Sequence, residues 1–494
     1  MPAPDRRSFL TASALGVGGL AFLDNLPAVT AQEPRLARLD ADIDPLVRLL
    51  EDTPRNRVLE EVAARVQRGT PYRDVLAALF LAGVRNVRPR PSVGFKFHAV
   101  LVVNSAHLAS LAGPDRERWL PIFWAVDSFK GAQAENVRES GWRMGPVDEA
   151  KVPPGHRATE AFAAAMDNWD VEAADVAVAG LARTGSRNEL HELFTRYGCR
   201  DFRDIGHKAI FVANAFRTLD CIGWHHAEPV LRSLAFALLH HEGDNPAKRD
   251  GEPARPGRRN AELAARIGAN WRGGRADPAA TADVLAAVRT GSANDLSDRV
   301  VSHLNGGVAP AAVWDGLFVA AGELLMRQPG IVGLHTLTTL NALHHGYQTS
   351  GVDATRKLLL LQAAAFLPLF REAMTARGKV SDVRIDALEA GEGGDVGQVF
   401  ATLSRDKAAA ARQALGLLRA DPANARKLVD AGRLLVFLKG TDSHDYKFSS
   451  AVLEDYAHLA PAWRDRFLAA SLFWLKGSAG PDAPVVARTR AALA

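Results

Sequence analysis

The interval from His98 to His335 returns, to the residue, between His107 and His344, between His207 and His444, and between Asn104 and Asn341. An offset that returns for four polar pairs confines the chain to folds that can be built twice. The apolar text keeps nearly the same period, since Val75-Leu-Ala-Ala-Leu-Phe-Leu-Ala precedes Val313-Trp-Asp-Gly-Leu-Phe-Val-Ala by that interval and one position more. Duplication that preserves imidazoles along with their apolar frame is expected to bring the rings together where the copies join.

Within each copy the apolar residues fall at helical spacing, as in Leu46, Leu49, Leu50 and then Val58, Leu59, Val62, Val66. No run alternates with the period of a strand. The expected fold is all-α: a helical-repeat body with an internal duplication, two pseudo-symmetric halves and four histidine-bearing helical units. Such units cannot bury their apolar faces alone and must stack. The expected boundaries are a signal peptide at 1–31, a first half at 32–242, a linker at 243–260 and a second half at 261–494. The linker (GDNPAKRDGEPARPGRRN) is polar, basic and rich in Pro and Gly, which reads as a solvated loop. A second polar segment, 378–397, reads as a loop inserted in the second half.

Positions 1–31 carry Arg6-Arg7-Ser8-Phe9-Leu10, a short apolar stretch to Leu23 and a small-residue cleavage site ending at Ala31. This pattern resembles a twin-arginine signal, which makes the Tat export machinery a partner and the periplasm or exterior the destination. That route carries folded proteins, often with a cofactor already inserted. The apolar run Leu358–Leu369 is of core length, so no stable membrane span is expected after cleavage. The net charge of +4 comes from 60 basic and 56 acidic residues that are well mixed, which gives no basic stripe for nucleic acid. Cys199 and Cys221 are too few for a thiolate metal site, and they are read either as a pair or as two free thiols.

Four segments each begin an apolar helix with a histidine: His98, His207, His335 and His444. Neutral imidazole brings a nitrogen lone pair into a core without charge, and four such rings suit iron or another divalent transition metal with positions left open. Asn104, Asn214 and Asn341 follow their histidines by six or seven residues, where an amide is expected to orient a neighbouring imidazole. Lys447 lies three residues after His444 on the same helical face and, if neutral or carbamylated, becomes a fifth ligand or a base. His107, His344 and His226 are assigned as proton relays near substrate, against the alternative of helix-end residues. No G-x-S-x-G, Walker A, G-x-G-x-x-G or H-E-x-x-H motif occurs.

Four spaced histidines on an all-helical chain of this length resemble the questin oxidase-like family, through histidine order and helical content rather than long identical motifs. The resemblance implies an oxygenase acting on polycyclic aromatic compounds, with His98, His207, His335 and His444 as its metal or active-site residues. The expectation is an exported non-haem iron oxygenase that takes O2 and a hydrophobic, aromatic substrate held by residues such as Phe211, Tyr446 and Phe448. Two alternatives stay open: a non-catalytic helical-repeat binding protein, and a non-covalent bis-histidine haem protein.

Overall fold

Short polar residues start many of the helices. Asp170, Ser186, Asp277, Ser292, Asp395, Asp406 and Asp442 each accept a backbone N–H from the first turn that follows them. Each such cap supplies a partner for a donor the helix cannot satisfy itself, a contribution of about 1 kcal/mol. The computed structural model describes residues 36–89, 95–392 and 394–494, and the signal expected at 1–31 lies outside them. Among the described residues there are 22 α-helices and no strands, so the chain is all-α as its periodicity requires.

Four helices carry the principal histidines: Phe95–Ala112 with His98, His207–Ile222, Ile331–Thr349 with His335, and Ser443–Asp455 with His444. Each packs against the next in that order, and the last packs against the first, which closes a ring. Around the ring the pairings recur. Tyr72–Asn86 and Leu120–Glu139 flank the His98 helix, and Pro310–Arg327 and Asp353–Thr375 flank the His335 helix. Ala227–Leu239 lies on the His207 helix, and Pro461–Ser471 on the His444 helix. Two helices dock on partners distant in the chain. Arg255–Ala264 packs on Ala293–Asn305 and Asp353–Thr375, while Pro484–Leu493 packs on Val58–Gln67 and Leu120–Glu139.

The interior shows the same long reach. One apolar core gathers mainly the second half but includes Ile210 and Ala213 of the His207 helix. The other gathers mainly the first half but includes Val436, Phe437 and Tyr446. The His207 helix sends Ile210 into one core and Phe211 into the other, and the His444 helix divides Phe448 from Tyr446 in the same way. Both helices therefore run along the seam, and residues 37–494 form a single unit.

Two expectations need correction. The stretch 243–260 is not a free loop to its end, because helix Arg255–Ala264 begins inside it and buries Pro256, Gly257 and Asn260. Asn260 Nδ2 donates to Gln362 Oε1 (2.8 Å) inside the fold, while its Oδ1 is buried without a partner. The apolar run near Leu358 also belongs to a longer helix, Asp353–Thr375, which by length and composition is long enough to cross a membrane. In this fold it is a core helix: Leu359–Leu361 and Ala363–Leu367 are buried against neighbours. Cys199 and Cys221 are both free thiols.

Candidate metal centre

The ring of helices turns its four histidines inward. All four side chains are buried, and one ligand nitrogen from each lies within 4.8 Å of the others. His207 Nε2 is 3.1 Å from His98 Nε2 and 3.0 Å from His335 Nε2. His444 completes the set, with its ring centroid 4.7 Å from that of His98 and 5.1 Å from that of His335. Side chains from distant parts of the sequence thus meet at one point on the seam, and the group can hold a metal ion.

Three of the rings are oriented by acceptors behind them. His207 Nδ1 donates to Asp204 O, His335 Nδ1 to Ile331 O and His444 Nδ1 to Asp442 Oδ1, each at 2.5 Å. A carbonyl or carboxylate oxygen can only accept, so the proton of each ring sits on Nδ1 and the Nε2 lone pair faces the centre. The Ile331 carbonyl is available because it lies one turn before His335. The Asp204 carbonyl is aimed by an unusual backbone: Asp204, Ile205 and Gly206 all have positive φ (56°, 49° and 79°). A β-branched residue in that region is strained by about 1–3 kcal/mol. Gly206 is required twice over, since a Cβ there would collide with Thr339 Oγ1 on the His335 helix.

Asp442 escaped the sequence reading, although its signal is present. It opens a capping box with Asp445, and its carboxylate accepts both the backbone N–H of His444 (2.7 Å) and the ring N–H. Burial raises its pKa, but these bonds from His444 outweigh it and hold the carboxyl at about 2. Burial also keeps the imidazoles neutral. His207 and His335 are pushed well below the usual histidine range first by desolvation, and His444 is lowered for the same first reason.

Lys447 is buried beside this cluster, and its Nζ has no hydrogen-bond partner. Desolvation lowers its pKa to about 7. The Nε2 of His444 is likewise buried and unpartnered. Lys447 also lines a polar chamber of about 20 Å³ with Asn104, Asn214, Thr338 and Asn341, which is room for roughly one water.

The asparagines do not orient imidazoles. Asn104 Nδ2 donates to Asn214 Oδ1 (3.1 Å), Asn214 to Leu101 O (3.2 Å), and Asn341 to Glu454 and Asp455 (3.0 and 2.8 Å). Two helical turns carry each amide about 9–10 Å along the axis from its histidine, past the ring it was meant to hold. Together they wall the chamber instead. Nearby, burial first of all raises the carboxyl of Asp455 well above the usual range.

The three relay histidines are also placed elsewhere. His107 and His344 sit nine residues beyond His98 and His335, about 13 Å along their helices. His107 Nδ1 meets Tyr72 Oη at 3.1 Å, and His344 packs among Trp314, Phe318 and His458. Burial lowers the pKa of both, that of His344 to about 3. His226 Nδ1 lies 3.3 Å from Asp40 Oδ2, and with His225 these form a separate, more exposed group. For the bis-histidine haem alternative, the Nε2 atoms of His98 and His335 lie 3.1 and 3.0 Å from that of His207, closer than the roughly 4 Å that two axial imidazoles on one iron require. Phe211, Tyr446 and Phe448 are fully buried core residues rather than walls of a substrate cavity. No protein-family model, characterised protein or solved structure matches the chain.

Proposed function

We propose that His98, His207, His335 and His444 bind one divalent transition-metal ion, most suitably iron, and that the protein is an exported non-haem oxygenase. The observation that carries this reading is the 3.0 Å approach of two Nε2 atoms whose protons are committed elsewhere. Two lone pairs at that distance repel unless a cation lies between them. A shared proton would also fit the distance, but burial disfavours the charged ring it requires. A metal ion with bonds of about 2.1 Å would accept both lone pairs at once.

A bound ferrous ion would supply O2 binding and activation there. The chain's own residues do the rest. His207, His335 and His444 arrive with fixed tautomers, so little reorganisation accompanies binding. Asp442 brings the negative charge that four neutral ligands lack. Lys447, whose amine burial makes easier to deprotonate, would offer it as a fifth donor or as the acceptor of a proton, and the chamber beside it has room for a water-sized molecule. A hydrophobic, aromatic substrate would approach from another side, and the questin oxidase-like resemblance is what suggests that class.

Metal analysis of natively exported protein tests the reading, with one equivalent expected per chain and loss of metal in His207→Ala and His335→Ala. Nitric oxide, which stands in for O2 at ferrous centres, is expected to give a paramagnetic adduct with the iron-loaded protein. Metal bound without any adduct would leave a structural site and remove the oxygenase. Metal-free protein that takes up no ion when iron, copper, manganese or zinc is offered would remove the centre altogether.

A further inference from the structure

A second gathering of metal donors lies where residues 37–43 meet the end of the His207 helix. Gly223 closes that helix with φ 119°, a conformation that favours glycine, and a Cβ there would collide with the His225 ring and with Arg73 Nη2. The chain then turns through Trp224–His226, and the rings of His225 and His226 stand with their centroids 3.9 Å apart. Two neighbouring imidazoles are thereby held together. Asp40 joins them from a distant part of the sequence. Its carbonyl accepts the N–H groups of Ile43 and Asp44 (3.2 and 3.1 Å), which sets the turn into helix Asp44–Asp52, and its Oδ2 lies 3.3 Å from His226 Nδ1. One donor atom each from Asp40, His225 and His226 falls within 4.8 Å of the others.

These donors suit a borderline divalent ion. The His226 side chain is only 5% exposed, and desolvation first of all lowers its pKa, so near neutral pH the ring has a lone pair to offer. The charges that act on it are those of Asp40 and Asp42, which favour a cation alongside, and those of His225 and Arg73, which oppose one. Arg73 is held to the backbone by its Nε on Ile222 O (2.9 Å), and coordination turns His225 from a competing cation into a ligand. Asp40 and His225 are exposed, so both can close on an ion arriving from solvent. Two imidazoles and a carboxylate are donors that zinc takes, at bonds of about 2.0–2.2 Å, with water free to fill the position left over. Calcium and magnesium prefer oxygen and are poorly served by the two rings.

We propose that Asp40, His225 and His226 bind one zinc ion at the surface, which joins the segment before helix Asp44–Asp52 to the turn after the His207 helix. This site is separate from the four histidines and does not rest on the oxygenase reading. Zinc titrated into metal-free protein in competition with a chromophoric chelator tests it, in wild type and in His225→Ala, Asp40→Asn and His207→Ala. Positions 40 and 225 are exposed, so their substitutions do not threaten folding, which circular dichroism checks. Each is expected to weaken one zinc equivalent by roughly tenfold or more, since even loss of a group that only supports a ligand costs that much. His207→Ala is expected to leave this equivalent in place. Calcium in about a thousandfold excess is expected to displace none of it. Zinc binding that is unchanged from wild type in both His225→Ala and Asp40→Asn would overturn the proposal. So would displacement of this zinc by calcium, or wild-type protein that binds no zinc beyond the equivalent removed in His207→Ala.

Discussion

Asp442 performs two tasks that substitution can separate. Its carboxylate caps the His444 helix through the backbone N–H at 2.7 Å and accepts the ring proton of His444 at 2.5 Å. Asp442→Asn keeps an oxygen for the cap, where Asn is as good as Asp, but removes the charge that makes the imidazole a stronger donor to a metal. Replacing such a partner usually weakens metal binding 10–100-fold, about 1.4–2.8 kcal/mol. With 43% of the Asp442 side chain exposed, solvent screening places the effect toward the lower value. Asp442→Ala loses the cap as well and is expected to lower the stability of metal-free protein by about 1 kcal/mol, where Asp442→Asn leaves it unchanged. Competition against a chromophoric chelator gives the affinities, and urea unfolding of metal-free protein gives the stabilities. If Asp442→Asn binds metal within twofold of wild type, this carboxylate does not tune His444.

Lys447→Met is expected to stabilise metal-free protein by about 1–3 kcal/mol, since it removes a buried amine without a partner, and to weaken metal binding; urea midpoints with and without metal read both effects. The same lysine sets a pH dependence. Its folded pKa of about 7 lies below the ordinary lysine value of 10.5, so between those limits the unfolded chain holds the extra proton. Stability of metal-free protein should then rise from about pH 7 toward about pH 10, with a smaller slope in Lys447→Met. Saturating metal at a thousandfold excess over Kd should add about 4 kcal/mol, read as a higher melting temperature that chelation reverses. Gly257→Ala, which drives a methyl into Arg200 O, should cost roughly 1–3 kcal/mol in the same unfolding assay.

The all-helical fold was legible from the spacing of apolar residues alone, because each amphipathic stripe records the period of the helix that buries it. The identity of the four central histidines was legible too, for a related reason: each lies near the start of an apolar helix, and pairs of them share one sequence offset. Sequence spacing failed where it had to supply distance in three dimensions. Asn104 and His107 share a helix with His98, yet the helical rise of about 1.5 Å per residue takes them out of its reach. The acceptors that fix the rings were hidden for another reason, since two of the three are backbone carbonyls, which every residue possesses and no sequence distinguishes. Only the fold decided that Asp204, Ile205 and Gly206 adopt left-handed conformations, that the connector ends in a docked helix against Arg200, and that the four helices close into a ring. Those outcomes depend on contacts between segments far apart in the chain, whereas periodicity and capping are written locally.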